Sequence, residues 1–267
     1  MTTSENYLEF NKKSWDSRVE AHVESEFYDM ESFLKGKSSL NEIETALLGD
    51  VKSKSILHLQ CHFGQDTMSL QRLGAQCVGV DLSGKAIETA RSLNDELGLG
   101  ARFVACDVFD SPNHIDEKFD VVFTSYGAIG WLPDLDRWAE VIHHFLKPGG
   151  KIVFVEFHPV VWMFDDDFKS IKYPYLKSEP IVEEEEGTYA DRDASEVEGK
   201  TITWNHGLSE VLTALLKVGL SVESLQEYDY SPYNCFRHTV EFEAGKYRIA
   251  HLEDKIPMVY SVVARKD

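Results

Sequence analysis

Between residues 55 and 157 the chain alternates two hydrophobic periods. Short runs of β-branched and aromatic residues, "SILHLQ", "QCVGVD", "ARFVAC", "FDVVFTS" and "GGKIVFVEF", read as buried strands. Stretches with apolar residues three or four apart separate most of them and read as helices near residues 66–73, 84–97 and 135–145, while a polar loop follows "ARFVAC". In the second of these helices Ala86, Ile87, Ala90, Leu93 and Leu97 fall on one face, Ser83 stands where a cap belongs, and Gly98 ends the turn. Strand and helix in alternation predict parallel β-α-β units, hence an α/β, doubly wound sheet whose ligand lies at the carboxyl ends of its strands.

The flanks break this rhythm. Residues 1–50 are aromatic and charged and predict a helical N-terminal cap before a core at 51–157. Residues 158–203 carry turn residues, aromatics such as Trp162, Tyr173, Tyr175 and Tyr189, and only short strand-like runs. That length exceeds a simple connection and suggests a lid or substrate-binding insertion. A helix near 208–217 and the runs "LSVESLQEYD" and "IPMVYSVVARK" complete a C-terminal part at 204–267. One domain spanning 1–267 with an insertion is the expected organisation.

The net charge of −19, with no dense cluster of Lys and Arg, would repel a phosphate backbone, so nucleic acid is not the expected partner. The acidic runs at 165–167 and 183–186 read as solvated loops rather than metal ligands. No apolar run approaches the length of a membrane span, and the first thirty residues lack the apolar stretch of a signal peptide, so no membrane role and a cytoplasmic location are expected. Cys61, Cys77, Cys106 and Cys235 form no C-x-x-C pair and read as reduced thiols. Composition leaves monomer and homodimer equally open.

Chemistry gathers at the predicted strand ends. Asp81 closes "VGVD" 17 residues beyond Gly64, near the spacing at which a carboxylate accepts from two vicinal ribose hydroxyls. It could instead cap the following helix, although Ser83 already serves there. Asp107, closing "FVACD", is placed to accept from the exocyclic amine of an adenine. In the loop "HLQCHFGQDT", His58 and His62 raise the possibility of a metal, but the first lies in a strand and the second in the loop after it, a poor arrangement for two ligands. The loop also lacks G-x-G-x-x-G, which counts against a nicotinamide-dependent oxidoreductase.

The succession of "HLQCHFGQDT", "VGVDLS", "ACDVFD", "FDVVFTSYGAI" and "HFLKPGGKIVFVEF" resembles the class I S-adenosylmethionine-dependent methyltransferases over about residues 54–158. The first of these stretches is similar to the wording found in bacterial members acting on small molecules. Against that family's D/E-x-G-x-G-x-G loop, His58 stands at the acidic position, Gln60 and His62 replace the first two glycines, and Gly64 matches the last. The resemblance implies a Rossmann-like seven-stranded sheet with an antiparallel last strand. It also implies S-adenosylmethionine as cofactor and a small-molecule acceptor. Gln60, His62 and Gly64 would then flank the cofactor, Asp81 with Leu82 its ribose, Asp107 with Val108 its adenine, and Ser125 with Tyr126 and Gly127 its methionine part. A non-catalytic S-adenosylmethionine-binding regulatory protein would keep Asp81 and Asp107 yet need no acceptor pocket.

Methyl transfer depends chiefly on positioning, and a general base is needed only where the acceptor arrives protonated. Tyr126, His158, His206 and His238 are the candidates for that base. In "NYLEFNKKSWDSRVEAH", Trp15 and Arg18 share a helical face and Tyr7 lies about two turns earlier. An aromatic there can face a sulfonium and an arginine can grip a carboxylate, so this segment is expected to close over the cofactor while residues 158–203 close over the acceptor.

Overall fold

The computed structural model describes residues 6–184, 187–194, 197 and 199–267. Glu185 and Glu186 of the second acidic run lie outside the described residues. Three helices come first: α1 (Tyr7–Glu24), α2 (Met30–Leu34) and α3 (Glu42–Leu48). The alternating core follows as β1 (Ser55–Leu59), α4 (Gln65–Arg72), β2 (Gln76–Asp81), α5 (Gly84–Glu96), β3 (Arg102–Ala105), β4 (Phe119–Ser125), α6 (Leu135–Phe145) and β5 (Leu146–Phe157). The insertion holds β6 (Ile181–Glu184) and β7 (Lys200–Thr203), and the chain ends with α7 (Leu208–Lys217), β8 (Leu220–Tyr228), β9 (Thr239–Glu243), β10 (Lys246–Ile249) and β11 (Val259–Lys266). Boundaries read from periodicity agree with these to within a residue or two for α4, α5, α6 and α7. Ser83 caps α5 as its position requires, accepting from Ala86 N at 3.0 Å.

Seven strands form one sheet in the order β3-β2-β1-β4-β5-β11-β8, with β11 antiparallel to both neighbours. This is the doubly wound, seven-stranded architecture with an antiparallel last strand. Alternation along each strand divides the core in two. Leu57, Leu59, Val122, Ile152 and Phe154 face α6 and α7, where Trp138 and Phe145 are fully buried. Ile56, Phe123, Val153 and Val155 face the side covered by α3, α4 and α5. His58 shares this second face with Phe123, their rings 4.8 Å apart.

The strand order turns back between β1 and β4, where a doubly wound sheet leaves a crevice at its carboxyl edge. The N-terminal helix, the insertion and the segment between β8 and β11 converge there. The helix α1 packs on α5 and on β7. Asn11 clamps this second contact, its Nδ2 donating to Ile202 O at 2.8 Å and its Oδ1 accepting from Ile202 N at 2.9 Å. The segment between β8 and β11, with the antiparallel pair β9 and β10, brings Tyr233 and Phe236 to the same rim. Among the described residues no helix is long and apolar enough to cross a membrane.

Candidate functional site

A cavity of about 1100 Å³ opens at the crevice. Its first wall is the loop after β1. Gln60, His62 and Gly64 all have left-handed backbone, with φ of 56°, 51° and 79°. A side chain in that region costs roughly 1–2 kcal/mol, so the two non-glycine residues need compensation. Gln60 finds it by donating from Nε2 to Ala128 O at 2.7 Å. His62 finds it twice: its backbone N donates to Asp81 Oδ2 at 2.7 Å, and its Nε2 meets His22 Nδ1 at 2.9 Å. Side-chain hydrogen bonds thus hold the turn that glycines hold elsewhere, and the variant loop is intact. Packing also requires Gly64, because a Cβ there would lie 2.5 Å from Phe103 Cε1 and 3.2 Å from Ala90 Cβ.

The two histidines of the loop have separate surroundings. His58 Nδ1 pairs with Thr67 Oγ1 at 2.9 Å, while His62 stands among Trp15, His22 and Phe63. Burial depresses both their pKa values, that of His58 to about 3, and keeps the rings neutral. Gln60 Oε1, His58 Nε2 and His62 Nδ1 are buried with no hydrogen-bond partner among the described residues, and all three residues line the cavity. Buried polar atoms in such a wall ask for a polar ligand.

Asp81 ends β2 and lines the cavity. Its Oδ1 accepts from Ser83 N at 2.8 Å and its Oδ2 from His62 N, so it ties the loop to the start of α5. A carboxylate oxygen that accepts one such bond can accept another. Burial raises its pKa to about 6. Asp107 accepts from Phe109 N at 3.1 Å and lines the cavity beside Leu82 and Val108.

The N-terminal helix supplies the second wall. Arg18 is buried, with its guanidinium carbon 5.3 Å from the Trp15 ring centre and 5.8 Å from that of Trp131. Tyr7 packs edge-on to Trp204 at 5.4 Å, and Tyr28 shares a hydroxyl hydrogen bond with Tyr189 of the insertion. His22 continues the stripe of Trp15 and Arg18 on α1. It is fully buried, and burial together with Arg18 lowers its pKa to about 3.

At the end of β4, Ser125, Tyr126 and Gly127 turn through left-handed backbone at Tyr126 and Gly127. Two acids without any sequence motif make that turn. Glu156 accepts from the backbone N–H groups of Gly127, Ala128, Ile129 and Phe157. Glu44 on α3, fully buried, accepts from Tyr126 Oη at 2.8 Å, and burial with the nearby Asp66 charge raises its pKa to about 7. Of the candidate bases, Tyr126 and His206 line the cavity, but His206 is occupied: Nε2 donates to Leu132 O and Nδ1 lies 3.1 Å from Glu210. His158 pairs with Glu227 and His238 with Asp167, and neither histidine is part of the lining.

The cavity therefore collects Tyr7, Trp15, Arg18, Gln60, His62 and Gly64 with Asp81, Leu82, Asp107, Val108, Ser125 and Tyr126. Residues 56–150 match a family model described as a methyltransferase domain. A ubiquinone biosynthesis O-methyltransferase of Serratia proteamaculans is 26% identical over 136 residues, covering 49% of this chain and 56% of that protein. Its mitochondrial counterpart in Rattus norvegicus is 27% identical over 191 residues, covering 70% and 50%. The chain thus spans about half the length of the curated relatives it matches. Among solved structures, an S-adenosylmethionine-dependent methyltransferase from Mesorhizobium loti superimposes with a TM-score of 0.57 at 21% identity, covering 87% of this chain and 100% of that one. Geranyl diphosphate C-methyltransferase from Streptomyces coelicolor A3(2) gives a TM-score of 0.63 at 14% identity, covering 98% of each. These two likenesses show the fold.

Proposed function

We propose that this chain is a class I S-adenosylmethionine-dependent methyltransferase that transfers a methyl group to a small-molecule acceptor in the cytoplasm, a reading supported by the match of residues 56–150 to a methyltransferase domain. The observation that carries the reading is the convergence of Gln60, Asp81, Asp107 and Ser125, from four strand ends, on one cavity with unpartnered polar atoms in its wall. S-adenosylmethionine, when bound, supplies a methyl group on a sulfonium, activated for in-line displacement. The chain's own residues do the rest. Asp81 accepts from ribose hydroxyls through the lone pairs its loop contacts leave open, and Asp107 accepts from the adenine amine. Gln60 and His62 offer their free polar atoms along the cofactor, and Trp15 with Arg18 covers its methionine end. The clamp between Asn11 and Ile202 ties the N-terminal helix to the insertion, so the two covers close together and exclude water. At about 1100 Å³ the cavity exceeds the usual 300–1,000 Å³ of a single-ligand site, which leaves room for an acceptor beside the cofactor. This spare volume favours an enzyme over a silent binder.

The test is a screen of metabolite pools with cofactor labelled in its methyl group. Protein-dependent appearance of label in a small molecule is expected. Tight cofactor binding with no transfer to any pool would favour the silent binder instead, and tight NADH binding would overturn the family's cofactor for this site.

A further inference from the structure

Beside Ser125 the wall holds a buried carboxylate that has no part in the cofactor contacts proposed above. Asp66, in the first turn of α4, accepts from Ser39 Oγ at 2.6 Å and lies 3.3 Å from Ser125 Oγ. Tyr28, Tyr126 and Tyr233 stand close enough for its charge to raise their hydroxyl pKa values. Tyr126 and Tyr233 meet edge-on at 5.0 Å, and Phe27 stacks on Tyr233 at 5.5 Å. Asp66 lines the same cavity wall as Tyr28, Tyr126 and Tyr233, and a carboxylate beside aromatic side chains is chemistry that holds an ammonium ion.

Three further observations point to a ligand here. His58, 3% exposed, lines the same cavity with Nε2 unpartnered among the described residues, and its other nitrogen pairs with Thr67, the neighbour of Asp66 in the chain. No charge of a described lysine, arginine or histidine bears on Asp66, whose pKa burial raises while Ser39 and Ser125 lower it. Among the described residues the cavity is lined by eight carboxyl groups and two full cations, Arg18 and Lys37. Such a field repels phosphate and carboxylate acceptors and concentrates cations.

We propose that the acceptor is a primary or secondary amine on an aromatic or aliphatic body, its ammonium N–H groups donating to Asp66 in the part of the cavity lined by Tyr28, Tyr126 and Tyr233. The inference rests on the methyl-transfer reading above and deepens it. To act as a nucleophile the ammonium must lose a proton. The Asp66 carboxylate takes it, one N–H bond being exchanged for one O–H bond and both charges vanishing, and the nitrogen lone pair is left beside Ser125.

Three probes of one shape and different charge test this on the full chain. 2-Phenylethylamine, 2-phenylethanol and phenylacetate are titrated calorimetrically at pH 8 into protein saturated with S-adenosylhomocysteine, which has no sulfonium charge to compete for Asp66. The amine should bind about tenfold or more tighter than the alcohol, phenylacetate should bind weakest, and Asp66→Asn should bring the amine down to the level of the alcohol. The wild-type ranking holds without the variant, should Asp66→Asn fail to fold. Phenylacetate binding as tightly as the amine, no binding by any probe, or an amine preference that survives Asp66→Asn would each overturn the proposal. If Asp66→Asn weakens S-adenosylhomocysteine itself and leaves the probe ranking unchanged, Asp66 serves the cofactor and the proposal fails while the family reading stands. If S-adenosylhomocysteine does not bind wild type, the cofactor reading fails, and the same titrations without it decide the amine.

Discussion

Replacing Gly64 by alanine puts a methyl group 2.5 Å from Phe103 Cε1, 2.8 Å from Phe103 Cζ and 3.2 Å from Ala90 Cβ. Phe103 is buried between β2 and α5, so its ring cannot simply swing into solvent. The backbone at φ 79° adds the left-handed cost of about 1–2 kcal/mol, overpacking adds about 1–3, and the stiffer unfolded chain returns up to about 1, for a net loss near 3 kcal/mol. Urea unfolding of wild type and Gly64→Ala measures that loss directly. Phe103→Leu removes the ring atoms that clash, so in the double variant the packing part should be recovered and the backbone part should remain, a coupling of about 1–2 kcal/mol. A loss below about 0.5 kcal/mol, or strict additivity in the double variant, would refute the claim that Phe103 is what demands a glycine at this position.

Three further outcomes follow from the geometry. His22 is buried neutral with its pKa held at about 3, so the folded state refuses a proton that the unfolded chain takes below about 6.5. Stability is therefore lost as pH falls through 6.5 toward 3, and urea titrations at pH 7.5 and 5.5 should show His22→Asn losing about 1.4 kcal/mol less than wild type over that interval. Glu44, raised to about 7, works in the opposite sense: the folded state keeps its proton between about 4.5 and 7, and its contribution declines as pH rises through that window. Glu44→Gln should accordingly gain about 2 kcal/mol relative to wild type on going from pH 5 to pH 8, and the same difference at both pH values would disprove the shift. Asn11→Ala strands the buried N–H and C=O of Ile202, at about 2–4 kcal/mol in all, and should open residues 158–203 to limited proteolysis; unchanged cleavage there would show that α1 does not secure the insertion.

The parts of this protein that a sequence declares are those built from local periodicity. The Ala86, Ile87 and Ala90 stripe, the Ser83 cap and the strand-end positions of Asp81 and Asp107 depend on residues a few places apart, and they stand where the pattern put them. Trp15 and Arg18 likewise face one cavity from a shared helical stripe, and His22, one turn beyond Arg18, extends the same signal. What stayed hidden depends on distant chain. The Asn11 clamp joins residues 191 apart, and Glu156 serves backbone groups 27 to 29 residues away. Glu44 reaches Tyr126 across 82 residues. A single buried acid has no spacing to betray it. The same holds for His158, His206 and His238, whose type suggested proton transfer but whose partners Glu227, Leu132 and Asp167 come from elsewhere in the chain. The β9 and β10 pair was unread because its strands are short, β9 being mostly exposed and β10 largely half-buried, which leaves no buried alternation to detect.

The central claim is that S-adenosylmethionine or its demethylated product sits at the strand ends with its ribose on Asp81. Calorimetric titration of S-adenosylhomocysteine into wild type and Asp81→Asn tests it most directly. The carboxamide oxygen of that variant can still accept from His62 N or Ser83 N, which limits damage to the loop, but the charge that strengthens the ribose contacts is gone. The account predicts saturable binding to wild type and a loss of about 1.5–3 kcal/mol in the variant, roughly 10- to 150-fold in Kd. Equal affinity for both proteins, with the variant folded, would contradict it.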